Sequence, residues 1–281
     1  MKRYLSLVTF AHTIFALPFA LLSAVLAARG VPPLPTLAWI LVAMVGARSA
    51  AMAFNRIADR DVDAVNPRTK GRDIPAGRVS VAEASVFCAL SAAVFVFAAS
   101  RLNPLCLALS PVALAVVLGY SYAKRVTALA HLLLGLGLAI APVGAWIAVT
   151  GAFALPPVVL GLSVLFWVAG FDVIYSLQDE AFDREHGLFS IPARLGARRA
   201  LNVSTAFHAL SLALLYAVFT LVNGGVPFGL GVVLAGAFLV RQHVLVKPGD
   251  LSRVNGAFFT ANGWLSVAVF ACGAADVFLR R

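Results

Sequence analysis

The sequence predicts an all-α, polytopic membrane protein with nine transmembrane helices around a central cavity open to the cytoplasmic side. Three observations predict it. Apolar residues make up 61% of the 281 positions, where a soluble chain carries roughly 45–50%. They fall in runs of about 18–24 residues, the length that crosses a bilayer as a helix. The basic residues alternate between connections, as a chain that crosses many times requires.

The first run covers 5–28. Lys2-Arg3 before it and Ala27-Ala28 at its end resemble a signal peptide, but the run is long enough to span a bilayer and is expected to remain as the first helix. Pro32-Pro33 separate it from the second helix, 36–58. A polar connection leads to the third, 81–101, and Asn103-Pro104 turns the chain into the fourth, 104–122. The fifth, 128–149, ends before Pro156-Pro157, which open the sixth, 156–178. A second polar connection precedes the seventh, 200–222. Asn223-Gly224-Gly225 turns into the eighth, 226–245, and Lys247-Pro248-Gly249 into the ninth, 255–278.

Charge sets the orientation. The connection 59–80 holds Arg60, Arg68, Lys70, Arg72 and Arg78. Connection 123–127 holds Lys124 and Arg125, 179–199 holds Arg184, Arg194, Arg198 and Arg199, and 246–254 holds Lys247 and Arg253. With the N-terminus cytoplasmic, all of these fall inside; the alternate connections hold only Arg29 and Arg101, and Arg280 and Arg281 at the far end also fall outside, a small departure from the rule. The expected location is a bacterial inner membrane. In such a protein the net charge of +10 reflects topology and a phosphate-rich substrate, with no nucleic-acid partner. Cys88, Cys106 and Cys272 lie in apolar runs without metal-site spacing and read as inert thiols.

Acid is scarce and concentrated. Of 12 acidic residues, 10 fall within 59–83 and 172–185, at the ends of the second and sixth helices. Asn55, Asp59 and Asp63 are spaced i, i+4, i+8 and drift only about 40° per step, forming one strip on a helix. Asp179 and Asp183 repeat the spacing, with Asp172 and Tyr175 deeper on the same face; Asp61 points away. Like charges at this spacing repel. Mg²⁺, a hard cation bound through carboxylates and substrate phosphates, is the natural compensation, with Asp59, Asp63, Asp179 and Asp183 as ligands. Two such ions would neutralise the four carboxylates, and a diphosphate would then draw on Arg68, Lys70, Arg72 and Lys124. The two runs also hint at a four-helix repeat, 1–125 and 126–250, followed by the ninth helix, within a single domain.

Two long spaced motifs identify a family. The first is Asn55-x₃-Asp59-x₃-Asp63-x₂-Asn66-x-Arg68-Thr69-x₂-Arg72-x₂-Pro75-x-Gly77. The second is Asp172-x₂-Tyr175-x₃-Asp179-x₃-Asp183, followed by Gly187-Leu-Phe-Ser190-Ile-Pro192. With Tyr120-Ser-Tyr122-Ala-Lys124-Arg125, they resemble the UbiA superfamily of intramembrane prenyltransferases over nearly the whole chain. The flanking residues resemble its quinone-pathway branch, whose members prenylate 4-hydroxybenzoate or a dihydroxynaphthoate on the way to ubiquinone or menaquinone. Haem, chlorophyllide and glyceryl phosphate acceptors occur elsewhere in the superfamily. Arg56 departs from the pattern, since many relatives carry Asp there.

The resemblance implies an Mg²⁺-dependent transfer from a polyprenyl diphosphate to a hydroxylated aromatic acid, through an allylic cation, with membrane lipid around the prenyl tail. The catalytic set it implies is Asn55, Asp59, Asp63, Asp172, Tyr175, Asp179 and Asp183. Arg48, two turns deeper than Asn55, is assigned to the aromatic carboxylate; Arg68, Lys70, Arg72 and Lys124 to the diphosphate. Tyr175 either supports Asp179 or stabilises the cation. His12 and His131 are expected to bond between helices rather than catalyse, and Asn255 and Asn262 to join helices. His208, His243, Trp146 and Trp264 are expected to pack. A secondary transporter also uses intramembrane acids, but near the midplane; these lie at one surface. The Asp-Gly-x-x-Ala-Arg element of a CDP-alcohol phosphotransferase is missing.

Overall fold

A computed structural model of the chain describes residues 13–280. His12, the Lys2-Arg3 pair and Arg281 lie outside the described residues. The described chain is helical with no strand. It runs α1 (Thr13–Ala28), α2 (Leu34–Ala58), α3 (Arg60–Val65), α4 (Val81–Leu102), α5 (Pro104–Gly119), α6 (Ala130–Thr150), α7 (Leu155–Ser176), α8 (Glu180–Glu185), α9 (Ile191–Leu221), α10 (Val226–Leu245) and α11 (Asn262–Leu279). Short 3₁₀ turns occupy Tyr120–Arg125 and Leu177–Asp179, and a π-helical turn occupies Gly256–Ala261.

Eight of these segments are long and apolar enough to cross a membrane: α2, α4, α5 with its 3₁₀ turn, α6, α7 through α8, α9, α10, and α11 with part of the π turn. The described part of the first predicted span, α1, has 16 residues, about 24 Å at 1.5 Å per residue. That is shorter than a bilayer core.

Local signals explain the boundaries. Proline opens α2, α5, α7, α9 and α10, where its missing N–H and fixed φ suit the first turn. Ser80 and Glu83 form a reciprocal capping box at the start of α4, and the Asn103 side chain caps α5 by accepting from Cys106 N at 2.9 Å. Helix α9 starts at Ile191, nine residues before the expected 200. Ser190 caps it, Pro192 sits in its first turn, and Gly196 at φ 74°, ψ 162° bends it. The apolar run begins only after that bend, so hydropathy places the start too late.

Aromatic residues fill the centre. Trp167 of α7 packs against Phe15 and Phe19 of α1 and against Phe171. Its indole N–H donates to Asn262 Oδ1 (2.9 Å), which also accepts from Gln242 Nε2 (2.8 Å), while Asn262 Nδ2 donates to the Phe258 carbonyl (2.8 Å). Asn262 thus joins α7, α10 and α11, as expected. His131 bonds between helices, also as expected. His208 and His243 pair across α9 and α10 at 2.9 Å.

Helices α6 and α7 meet at backbone distance. A Cβ on Gly161 would stand 2.9 Å from the Ala139 carbonyl oxygen, and one on Gly135 would press on the Leu165 carbonyl. Small residues permit such contact in lipid, where close packing replaces hydrophobic driving force. Gly135→Val is expected to lower stability by about 1–3 kcal/mol, the usual cost of overpacking. Thermal unfolding in detergent measures it; an unchanged midpoint would contradict the close approach.

Candidate active site

Both acidic runs break in the same way. Asp59 ends α2 at φ −92°, ψ 3°, and the six-residue α3 follows. Asp179 ends the turn after α7 at φ −104°, ψ 4°, and the six-residue α8 follows. These are bridge-region conformations, frequent at functional residues. The predicted continuous helical strip is therefore interrupted at Asp59. Its register survives, because Asp59 N bonds Asn55 O (2.9 Å) and Asp63 N bonds Asp59 O (2.7 Å).

Four carboxylates face one cavity, and each holds a basic partner. Arg68 grips Asp179 with Nε–Oδ1 at 2.9 Å and Nη2–Oδ2 at 2.6 Å. Arg72 Nη1 lies 2.7 Å from both oxygens of Asp63. Lys124 Nζ is 3.5 Å from Asp183 and Arg125 Nη2 is 3.6 Å from Asp59. Asn55 Nδ2 adds a bond to Asp59 Oδ2 at 2.8 Å. Asp63, Asp179 and Asp183 are buried, so each needs its partner.

The loop after α3 is folded to deliver these cations. Asn66 Oδ1 accepts from Arg68 N at 2.9 Å, an Asx turn ahead of the arginine. Its Nδ2 reaches Asp179 at 3.3 Å, and Thr69 Oγ1 donates to the Asp63 carbonyl at 3.3 Å. Lys124 and Arg125 come from the 3₁₀ turn after α5. Lys70 is exposed and is not among the residues lining the cavity. Its neighbours Arg68 and Arg72 turn inward; loop geometry, not spacing, separates the three. Asp61 is exposed beside Arg60, away from the site.

Tyr175 and Asp172 line the same cavity. The Tyr175 hydroxyl accepts from Arg68 Nη1 at 3.4 Å, the guanidinium lies 5.4 Å from its ring, and Phe258 packs on the ring at 4.2 Å between centroids. Asp172 Oδ2 is 2.7 Å from His131 Nδ1, and His131 Nε2 accepts from Ile191 N at 3.2 Å. The backbone donor leaves Nε2 as acceptor, so Nδ1 carries the proton and donates to Asp172. His131 is thereby a strut between α6, α7 and the start of α9.

The polar cavity measures about 250 Å³ and adjoins an apolar one of about 430 Å³. Arg48, Tyr120, Leu134 and Leu138 line both. Arg48 Nε is buried and has no hydrogen-bond partner among the described residues. Sequence reasoning gave no role to Arg125, Asn66 or Phe258. The Asn-Pro step signals a turn and Arg125 adjoins Lys124; no sequence signal marks Phe258.

The donor set suits Mg²⁺. All four principal carboxylates are hard oxygen ligands, two on each wall. Among the described residues no three acidic, histidine or cysteine groups converge on one point.

Burial and the neighbouring Asp63 carboxylate push the Asp59 carboxyl up from its ordinary range. A raised folded value means that ionising Asp59 disfavours the fold: its contribution is intact below the unfolded value and is lost as pH rises through the folded one. Asp59→Asn is expected to raise the unfolding midpoint at neutral pH, with the gain shrinking on acidification. A midpoint lowered at neutral pH would refute the assignment.

Comparison with known proteins adds to this geometry. The sequence model of the UbiA prenyltransferase family matches residues 16–265. A 4-hydroxybenzoate octaprenyltransferase of Francisella tularensis subsp. novicida is 30% identical over 246 residues, covering 88% of this chain and 86% of the relative. One from Vibrio atlanticus is 32% identical over 249 residues, covering 88% and 86%. The apo structure of a UbiA homolog from Aeropyrum pernix K1 superposes with TM-score 0.82 at 37% identity, covering 96% of this chain and 98% of that one. A UbiA homolog from Archaeoglobus fulgidus, bound to DMAPP and Mg²⁺, shares the fold at TM-score 0.77 and 21% identity over 99% of both chains.

Proposed function

This chain belongs to the UbiA prenyltransferase family, and we propose that it transfers a polyprenyl group from polyprenyl diphosphate to a hydroxylated aromatic acid. The acceptor in this reading is 4-hydroxybenzoate or a dihydroxynaphthoate, and the product a precursor of ubiquinone or menaquinone. Relatives named for 4-hydroxybenzoate prenylation support the acceptor class, and a neighbour bound to DMAPP and Mg²⁺ supports the donor and metal. The observation that carries the reading is the junction of two cavities at Arg48: one lined by paired carboxylates and cations, the other apolar.

The residues divide the work as follows. Arg68, Arg72 and Lys124 draw the diphosphate into the polar cavity. The apolar cavity takes the first part of the prenyl tail and keeps water from the reacting carbon. Asp59, Asp63, Asp179 and Asp183 would hold Mg²⁺, which supplies charge stabilisation for the leaving pyrophosphate. Arg48 offers its fork to the acceptor carboxylate and so orients the ring toward the allylic carbon. The Tyr175 ring, beside Arg68, faces the developing cation. Asn55 orients Asp59. Asp172, fixed by His131, shapes the inner wall. The C1–O bond breaks, the ring carbon attacks C1, and loss of its proton restores aromaticity.

In this reading the basic connections lie together at the cytoplasmic face of a bacterial inner membrane, the site opens there, and α1 completes nine spans. The matched backbone breaks at Asp59 and Asp179 support a single domain built from repeats 1–125 and 126–250 plus a last helix.

The decisive assay supplies the detergent-purified protein with farnesyl diphosphate and Mg²⁺, and offers 4-hydroxybenzoate and 1,4-dihydroxy-6-naphthoate separately. Product with one of them, abolished by EDTA, is expected; no prenylated product with either removes the proposed acceptor class. Asp179→Ala should lower kcat by about 10²–10³, the scale of losing a principal electrostatic stabiliser. Arg48→Gln should raise KM for the aromatic acid about tenfold or more, as for a lost hydrogen bond to a charged group, with donor KM unchanged. A donor-only effect would move Arg48 to the diphosphate.

A further inference from the structure

Helix α9 is longer than a membrane requires. Its 31 residues extend to about 46 Å at 1.5 Å per residue, against a hydrocarbon core of about 30 Å. The apolar stretch 200–221 alone covers about 33 Å, so 191–199 projects past the core to the depth of the lipid headgroups. Two backbone N–H groups fix which end of the bundle this is. Ile191 N donates to His131 Nε2 at the start of α6 (3.2 Å), and Phe189 N donates to the Lys124 carbonyl (2.7 Å). Both bonds set the segment at the rim of the polar cavity. Ile191 and Pro192 are buried, while Arg194, Leu195, Arg198 and Arg199 are exposed on the two sides of the bend at Gly196. Arg194 lies over the Phe189 ring at 4.7 Å. None of the three arginines forms an ion pair among the described residues, whereas the exposed Arg60, Arg78 and Arg184 pair with Asp61, Asp73 and Glu180. No acid occurs between Glu185 and Asp250 in the sequence, and Asp250 is bonded to Ser252 N (3.0 Å) and Oγ (2.6 Å).

We propose that Arg194, Arg198 and Arg199 bind the headgroup phosphate of an anionic phospholipid, with an acyl chain lying along the outward face of α9. At this depth lipid phosphate is the anion at hand, and guanidinium forks match its oxygens. A zwitterionic headgroup carries a cation of its own, which three unpaired arginines repel; an anionic one does not. Leu195 stands exposed among the arginines, and exposed Ala206, Ala209 and Ala213 continue the outward face below them, so the charge sits directly above an apolar track. Membrane orientation asks only for positive charge on this side. It does not account for three unpaired arginines within six residues around an exposed leucine. A headgroup held here also braces the rim of the cavity, because the segment it grips is bonded to His131 and Lys124.

The test is native mass spectrometry of the detergent-purified full chain, titrated with palmitoyl-oleoyl phosphatidylglycerol and, separately, with the phosphatidylcholine of the same chains. Phosphatidylglycerol is expected to bind at least about tenfold more tightly. Arg198→Gln should weaken it roughly fivefold and the triple Arg194, Arg198 and Arg199→Gln variant roughly hundredfold, from the usual worth of an arginine at an anionic surface. Arg253→Gln, which removes another exposed cation, should leave the affinity within about twofold, and millimolar inorganic phosphate should not displace the lipid. The three side chains are exposed, so the triple variant should keep its unfolding midpoint in phosphatidylcholine, and a loss of binding then reports the site and not the fold. Equal affinity for the two lipids would overturn the proposal. So would an equal loss in Arg253→Gln, which would mean a diffuse surface charge, or displacement by phosphate, which would mean a site for the free ion. No arm involves prenyl transfer, so the outcome is separate from that of the reaction assay.

Discussion

Everything at the mouth of this bundle depends on the neutralisation of buried carboxylates. Asp63, Asp179 and Asp183 are each less than a tenth exposed, and an unpaired charge in such surroundings costs several kcal/mol. Their partners come from two different connections: Arg68 and Arg72 from the loop after α3, Lys124 and Arg125 from the turn after α5. Pairing therefore fixes more than charge. It sets how far the loop folds inward, where α5 ends, and how closely the ends of α2 and α7 approach. The cavity is the space left between side chains that have no lower-energy place to go.

The same pairing orders the site in advance of any ligand. A carboxylate already bonded to an arginine holds its geometry before any ligand arrives, and in the proposed reaction the same arginine would meet the phosphate oxygens. Exchange of partners then requires little reorganisation, which is the condition under which electrostatic stabilisation is most effective. Phe258 packs on Tyr175, and both rings line the polar cavity. The π turn Gly256–Ala261 that carries Phe258 is held by the Asn262–Phe258 bond, and such turns recur at functional positions.

Much of this was legible in the sequence, and the exceptions have physical causes. The membrane spans follow from hydropathy, and Asp59, Asp63, Asp179 and Asp183 from their spacing against an acid-poor background; the structure brings all four to one cavity. The break at Asp59 was hidden because the i, i+4 bonds continue through it, so helical periodicity does not register the change. The early start of α9 was hidden because Ser190 and Pro192 precede a polar turn bent at Gly196. Lys70 and Arg68 look alike as charges in one loop; only the Asx turn at Asn66 sends Arg68 inward and leaves Lys70 in solvent. The pairing of Arg125 with Asp59 spans two helices, and no local pattern encodes it. His131 is expected to bond between helices, and the structure supplies the partners, Asp172 and Ile191.

The Arg68–Asp179 bond also has a consequence for biosynthesis. Its partners are 111 residues apart, so the ribosome makes Arg68 roughly 5–20 s before Asp179 exists, at synthesis rates of about 5–20 residues per second. During that interval Asp63 already has Arg72, nine residues on, and the nascent first half can enter the membrane with that carboxylate neutralised locally. The acid that Arg68 grips in the folded protein, Asp179, has by then still to be made. The Arg68–Asp179 bond can therefore form only once Asp179 has been made, and the emergence of Asp179 from the ribosome sets the earliest moment at which the four-carboxylate site can exist.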